Sequence, residues 1–389
     1  MISFGLALLI LLTWAYAIAA TIAALRFARR RPAPLGVTPL GVAPPGVASP
    51  NGPAVSVLKP LHGAEPGLAE NLRSFADQDY PLYQLVLGVR DRTDSALPVA
   101  RALALDRPLC DIELVVDPRA AGSNLKVANL ENMMPVARHD VILLADSDMR
   151  VTRDYLAIVT APLADPGIGI VTCLYKGVPT GGVWSQLAAL NINFGFLPGA
   201  LAGDALDIGG GCFGATIALR RAVLERIGGF ARLRNELADD HRLGAAVRGL
   251  GLASVLSPYI VENRVTESSF TSMWRHELRW ARTSRAMAPA GFAGSVITHT
   301  LMVTLLAASV WGSGAVALGC VLTALLLRWT SAALIARALD LPRTGLWLLP
   351  LRDVLSFAVF AASFCGRSVL WRGQLFRVEP SGRMSVEGD

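Results

Sequence analysis

The chain has 389 residues, 53% of them hydrophobic, and a mean hydropathy of +0.46, more apolar than an ordinary soluble domain of this size requires. Its formal charge is +6, but Lys59, Lys126 and Lys176 are the only lysines among 36 basic residues, and no aromatic–basic interleave accompanies them; nucleic-acid binding is therefore excluded as a reading of the charge. The five cysteines, Cys110, Cys173, Cys212, Cys320 and Cys365, show no paired metal spacing, which speaks against a zinc site or a disulfide framework and for buried thiols in a reducing compartment.

Residues 1–25 predict a transmembrane helix. Ile2 to Leu25 contains no charge over 24 positions, against the roughly 20 a spanning helix needs. Arg26, Arg29, Arg30 and Arg31 follow and place the downstream side in the cytoplasm. A cleaved signal peptide is disfavoured, because no basic residue precedes the apolar stretch. Residues 26–53 form a basic, Pro/Gly-rich linker with seven prolines between Pro32 and Pro53, a composition for an extended or disordered spacer.

Residues 54–285 have the composition and length of one α/β domain. β-rich runs fall at Val55–Leu58, Gln84–Val89, Ile112–Val116, Val141–Ala145 and Ile168–Cys173, with helical segments at Gly67–Ala76, Ala96–Leu105, Leu125–Ala137 and Asp154–Leu163. That alternation predicts a largely parallel sheet with helices on its faces. Polar residues close several strands, among them Lys59-Pro60-Leu61-His62-Gly63 and Arg90-Asp91-Arg92, which gathers carboxylates and cations at the rim where open α/β sheets bind ligands.

The most informative of these endings is Val141-Ile-Leu-Leu-Ala145 running into Asp146-Ser147-Asp148. Two carboxylates at that spacing can hold a hard divalent cation, Mn²⁺ or Mg²⁺, which can neutralise the diphosphate of a nucleotide donor. Asp77-x-Asp79 has the same spacing but lies in a polar segment; only position separates the two. Lys126, near a helix start, is either a phosphate-stabilising cation or a plain surface lysine. Gly209 to Gly214 is glycine-rich without the nucleotide fingerprint, and reads as a close-approach loop, a hinge or a simple turn. Asp239-Asp240 sits in the first turn of an amphipathic helix, where a favourable dipole pair is the bland reading. Arg279-Trp280 lies in the helical stretch Trp274-Arg-His-Glu-Leu-Arg-Trp280, where Arg can grip a departing diphosphate and Trp offer a flat apolar surface, or both can anchor at a membrane interface.

Residues 286–372 predict a C-terminal transmembrane region. Ala286 to Leu327 carries no Asp, Glu, Lys or Arg over 42 residues, enough for two spans with a turn near Gly312-Ser313-Gly314. A third span over Val354–Cys365 needs Leu346–Leu351 or Val369–Trp371 to reach membrane length, and a polar tail occupies 373–389.

In order along the chain, Val55-Ser-Val-Leu-Lys-Pro-Leu-His-Gly63, Asp79-Tyr-Pro81, Asn124-x-Lys126, Asp146-Ser-Asp148, Ala238-Asp-Asp240 and Leu278-Arg-Trp280 resemble the membrane-bound inverting glycosyltransferases of the GT-A fold. More narrowly they resemble the ceramide glucosyltransferase group, including bacterial relatives that glycosylate hopanoid lipids. The resemblance covers residues 54–285 and, in outline, the membrane ends. It implies a GT-A (nucleotide-diphospho-sugar transferase) domain with a mostly parallel sheet, flanked by one N-terminal and two to three C-terminal transmembrane helices. It also implies transfer of a hexose, glucose or N-acetylglucosamine, from a UDP-sugar to a hydroxyl of a membrane lipid, a hopanoid polyol or ceramide. By the same resemblance Asp91 contacts the uracil or ribose, Asp146 and Asp148 hold the metal and diphosphate, Asp240 is the general base, and Arg279 and Trp280 serve the leaving group. The expected protein is a multi-pass integral membrane protein with its catalytic domain cytoplasmic, in a bacterial inner membrane, working on UDP-sugar and bilayer lipid; no protein partner is implied.

Two departures stand out. Related enzymes carry Gln or Arg where this chain has His276, whose imidazolium could still donate to phosphate, and Phe194-Gly-Phe-Leu-Pro198-Gly199 lacks the His-Pro-Arg segment of ceramide glucosyltransferases, which moves weight toward a hopanoid or other polyol. A processive polysaccharide synthase would share the Asp and Arg-Trp motifs but needs more spans. An inactive nucleotide- or lipid-binding scaffold would tolerate loss of the carboxylate set, which is complete here. A transporter is disfavoured by the absence of central charges and broken-helix pairs.

Overall fold

A computed structural model describes residues 2–30, 52–208, 210–312, 314–366, 368–371, 374–378 and 384–386. Linker residues 31–51, Gly209, Ser313 and much of the 373–389 tail lie outside the described residues. The chain divides into two compact units, one made of Arg31–Tyr175 and Ile208–Arg264, the other of Met1–Arg30, Lys176–Asp207 and Val265–Asp389. Residues 176–207 and 265–285, which the sequence groups with the α/β block, thus fall in the second unit. There the Leu197–Ala205 helix packs against the N-terminal helix.

The first unit is built on a sheet of β1 (Val55–Pro60), β2 (Tyr83–Val89), β3 (Ile112–Val116), β4 (Val141–Ala145), β5 (Met149–Arg150), β6 (Ile168–Pro179), β7 (Thr216–Arg220) and β8 (Ala253–Val265), ordered β3-β2-β1-β4-β7-β6-β8-β5. β1 and β4 are buried along their whole length, as strands covered on both faces must be. Their residues alternate between two cores at the strand period of two. Val57, Leu85 and Leu143 pack with Leu72, Phe75 and Leu103, while Leu58, Val86 and Ile142 pack with Val127, Leu130 and Val247.

β3, β2, β1 and β4 run parallel, as the alternating pattern predicts. β7 pairs antiparallel with β4 and with β6, and β5 with β8, so the sheet is mixed. Two boundaries move for physical reasons. The helix predicted over Leu125–Ala137 gives way after Met133 to a tighter turn, Met134–Val136, where Pro135 supplies no backbone donor. β1 continues through Lys59 to Pro60 instead of stopping at Leu58.

In the second unit, three helices among the described residues are long and apolar enough to cross a membrane: Phe4–Ala28, Ala315–Leu339 and Leu346–Ser363. The chain reverses at Gly312, with φ of 85°, as the glycines there predict. The limb before it is not the straight span expected, because Pro289–Thr298 and Thr300–Trp311 meet at a 73° bend. The third span takes the Leu346–Leu351 extension; Ser368–Trp371 is instead a strand paired antiparallel with Gln374–Val378, which pairs with Met384–Val386 inside the expected polar tail.

One buried and one half-buried ion pair form within this unit. Arg352, 1% exposed, makes two hydrogen bonds to Glu277, 5% exposed, at 2.8 and 2.9 Å. Arg328 pairs with Asp353 and donates to the Phe194 carbonyl at 2.9 Å. Pro198, four residues on, has no N–H to offer that carbonyl, and the helix widens to a π turn over Ile192–Phe196; Arg328 supplies the missing donor.

Candidate active site

Because β1, β2 and β4 are parallel, their carboxyl ends share one edge. The order reverses between β1 and β4, since the chain proceeds outward from β1 to β2 and β3 on one side and places β4 on the other. Such a switch point opens a crevice at the carboxyl edge. Asp146 follows β4 directly at that point.

Lys126 lies on the Leu125–Met133 helix, whose N-terminus is capped by Asn124: its side-chain oxygen accepts from the amides of Lys126 and Val127. With its side chain 16% exposed, Lys126 reaches the Asp146 Oδ1 at 2.6 Å and Asp239 Oδ2 at 3.8 Å. This removes the surface-lysine alternative. Burial works against its charge, but Asp146, Asp239 and Asp240 outweigh that and raise its pKa.

Asp240 lies in the first turn of the Asp239–Arg248 helix. Its Oδ1 accepts from the His241 amide at 2.7 Å and its Oδ2 from the Gly214 amide at 2.9 Å. Burial, then the charge of Asp239, push its carboxyl up to about 6, although Lys126 and the two amides pull the other way. Gly214 is where the group converges. A Cβ there would stand 3.2 Å from Asp240 Oδ2, 3.6 Å from Lys126 Nζ and 3.7 Å from Asp146 Oδ2. Of the three readings of the glycine run, close approach therefore holds at Gly214. Gly214→Ala is expected to push the Asp240 carboxylate aside by a few tenths of an ångström and to lower kcat by about 10–100-fold, since small displacements of reacting groups are costly. Steady-state kinetics on the folded variant checks this; unchanged kcat would mean the contact is incidental.

Asp148 accepts from Asn263 Nδ2 at 2.7 Å, and burial followed by the Asp146 charge raises its pKa. The Asp146 carbonyl accepts from Lys59 Nζ at 2.7 Å. Lys59 is fully buried and pushed down to about 7 by that burial, with Asp146, Asp148 and Glu65 opposing. Asp91 lies two residues beyond β2 and is exposed; the Thr93 amide and hydroxyl both donate to its Oδ1 at 2.8 Å and hold its carboxyl below the usual range.

His276, Arg279 and Trp280 form a separate group on the Phe270–Met287 helix of the second unit. All three are half-buried. The His276 Nδ1 pairs with Glu267 Oε1 at 2.7 Å, and its ring meets Trp280 edge-on at 4.3 Å.

In the sequence Lys59 reads as a cation at the rim and Gly214 as part of a glycine-rich run, neither joined to this group, and Asn263 is not marked at all. Lys59 carried a signal, a charge inside the apolar run Val55–Leu61; Asn263 carried none.

The structure is similar to a mannosyltransferase from Pyrobaculum calidifontis, PcManGT, solved in complex with GDP-Man and Mn²⁺, with a TM-score of 0.51 and 22% identity over 92% of this chain and 99% of that one. It shares the GT-A fold. Two relatives from Caenorhabditis elegans are ceramide glucosyltransferase 3, 27% identical over 243 residues, and ceramide glucosyltransferase 1, 23% identical over 241 residues. These alignments cover 61% and 62% of this chain, and the chain spans about half the length of these curated relatives, 52% in each case. The match to glycosyl transferase family 21 extends over residues 8–384, nearly the whole chain, and the chain belongs to that family.

Proposed function

We propose that this protein transfers a hexose from a UDP-sugar to a hydroxyl of a membrane lipid, a hopanoid polyol or ceramide, by single displacement with inversion. The observation that carries the proposal is the convergence of Lys126, Asp146 and Asp240 on Gly214 at the switch point of the sheet. It sets a cation, a candidate metal ligand and a candidate base around one glycine. Asp240, with its carboxyl near 6, is ionised at neutral pH yet basic enough to take the acceptor proton as the hydroxyl attacks the anomeric carbon.

Among the described residues no group of three or more His, Cys, Asp or Glu is placed to hold a metal ion together, so in this reading the protein supplies two carboxylates, Asp146 and Asp148. That suits Mn²⁺ or Mg²⁺, which complete their shells with phosphate and water oxygens. Burial first and the Asp146 charge second raise the pKa of Asp148, and a cation held by the pair would relieve the second of these. When bound, the cation would neutralise charge on the departing diphosphate. Lys126, in this reading, exchanges its Asp146 contact for donor phosphate. Asp91 holds the nucleoside, and Arg279, with Trp280 and His276 beside it, stabilises leaving UDP. The three long apolar helices present the lipid, and Arg26, Arg29 and Arg30 put the catalytic unit on the cytoplasmic face, in a bacterial inner membrane.

The test crosses UDP-glucose and UDP-N-acetylglucosamine with ceramide and a polyhydroxylated hopanoid, and follows UDP release by the detergent-purified protein in Mn²⁺ and after EDTA treatment. Lipid-dependent release that EDTA abolishes is expected. Nucleotide binding without lipid-dependent release would favour the scaffold reading, and a growing polymer would favour a synthase.

A further inference from the structure

We infer that Lys59 and Asn71 are positioning residues that hold the main chain of the Asp146-Ser147-Asp148 turn, leaving its two carboxylates shaped for a divalent cation. The inference rests on the cation role proposed above. Lys59 is fully buried, and the hydrogen bond it makes among the described residues goes to a neutral main-chain oxygen, that of Asp146, at 2.7 Å, while the charges of Asp146, Asp148 and Glu65 act on its ammonium. It also sits 3.5 Å from the centroid of the Phe75 ring, a cation–π contact. Phe75 and Asn71 lie one turn apart on the Leu68–Ala76 helix. Asn71, 1% exposed, donates from Nδ2 to the next carbonyl of the turn, Ser147, at 3.2 Å. Two consecutive carbonyls are thereby fixed from β1 and from one helix. The third carbonyl, Asp148, accepts from the Arg264 amide at 3.1 Å.

Every main-chain oxygen of the turn is thus committed, and the carboxylates take other partners: Lys126 for Asp146 and Asn263 for Asp148. A buried ammonium is expensive, and a well-packed apolar residue would serve folding better. Asn71 repeats the pattern, because its Oδ1 is buried with no partner in the described structure. Both side chains carry a folding penalty for the sake of one donated hydrogen bond each to this turn. Groups that orient metal-binding carboxylates change metal affinity by about 10–100-fold when removed.

The test uses the full chain in detergent, with Mn²⁺ titrated in the presence of UDP and free Mn²⁺ followed by electron paramagnetic resonance. Lys59→Met and Asn71→Leu are each expected to weaken Mn²⁺ by about 10-fold or more, while UDP binding without Mn²⁺ stays within about twofold. Asn71→Leu also removes the orphaned acceptor, so it remains a foldable probe if Lys59→Met does not fold. Wild-type Mn²⁺ affinity in a folded variant would overturn the positioning role, because a merely structural role shifts thermal stability and leaves the metal titration alone. Asp146→Asn separates the two levels of argument. If it too binds Mn²⁺ as the wild type does, or the wild type binds none, the cation role itself falls and this inference with it.

Discussion

Asn in place of Asp240 is expected to lower kcat by about 10²–10⁴-fold, the usual contribution of a positioned general base, while UDP-sugar affinity changes by no more than about twofold. The reason lies in what surrounds the group. Asp240 is held by the amides of Gly214 and His241, so the carboxylate is already aimed before any acceptor arrives. Burial and Asp239 place its carboxyl near 6. Since the base works only when ionised, and a raised pKa means protonation begins at higher pH, wild-type kcat/KM should fall as pH drops through about 6, approaching tenfold per unit below it. Asp240→Asn should lose that acid limb along with the rate. Near-normal turnover in the variant, or an acid limb unmoved by the substitution, would assign Asp240 to helix stabilisation alone.

The second large effect concerns stability. Glu277→Ala is expected to destabilise the protein by about 3–5 kcal/mol, because it strands Arg352 as a buried, unpaired charge. Arg352 is 1% exposed and its two hydrogen bonds to Glu277 are well formed, at 2.8 and 2.9 Å. An arginine in the apolar Leu346–Ser363 helix is costly without such a partner. The melting temperature in detergent should drop by on the order of 10 °C. Replacing both members, Glu277→Leu with Arg352→Met, should recover most of that loss, because the penalty comes from one charge left behind and not from the lost pair. A Glu277→Ala protein as stable as the wild type would show that water or lipid headgroup satisfies Arg352.

What the sequence disclosed, and what it withheld, follows from the range of the interactions involved. Val141–Ala145 was legible because a five-residue apolar run ending in Asp146 needs only its own residues to declare itself. The parallel half of the sheet was legible for the same reason, through its strand–helix alternation. β7 and β8 were not foreseen, and their antiparallel pairing depends on partners such as Ala145 for Thr216 and Arg150 for Glu262, information no local window contains. Lys59 marked the end of a strand in the sequence because a charge ordinarily stops one; in the structure its ammonium reaches the Asp146 carbonyl, so the strand continues through it. At the candidate site, Lys126, Asp146 and Asp240 were each legible by residue type and context. Their meeting at Gly214 was not, since it joins positions separated by up to 114 residues. His276 shows the same limit: the sequence marked it as a departure, and only the fold supplies Glu267 as its partner.

The chain crosses between its two units at 30/31, 175/176, 207/208 and 264/265, and this interleaving constrains both biosynthesis and dissection. The Ile2–Ala28 helix is made well before partners it packs against, Leu197–Ala205, Thr300–Trp311 and Ala315–Leu339, so part of its packing surface stays unfilled until they emerge. The α/β unit closes only when residue 264 has been synthesised, and a segment of the helical unit, residues 176–207, has by then already been threaded out of it. No single cut releases either unit whole. A soluble fragment spanning 54–264 would carry residues 176–207 away from the helices that cover them, exposing Leu197 and Leu201, both buried in the intact chain, and such a fragment is expected to aggregate.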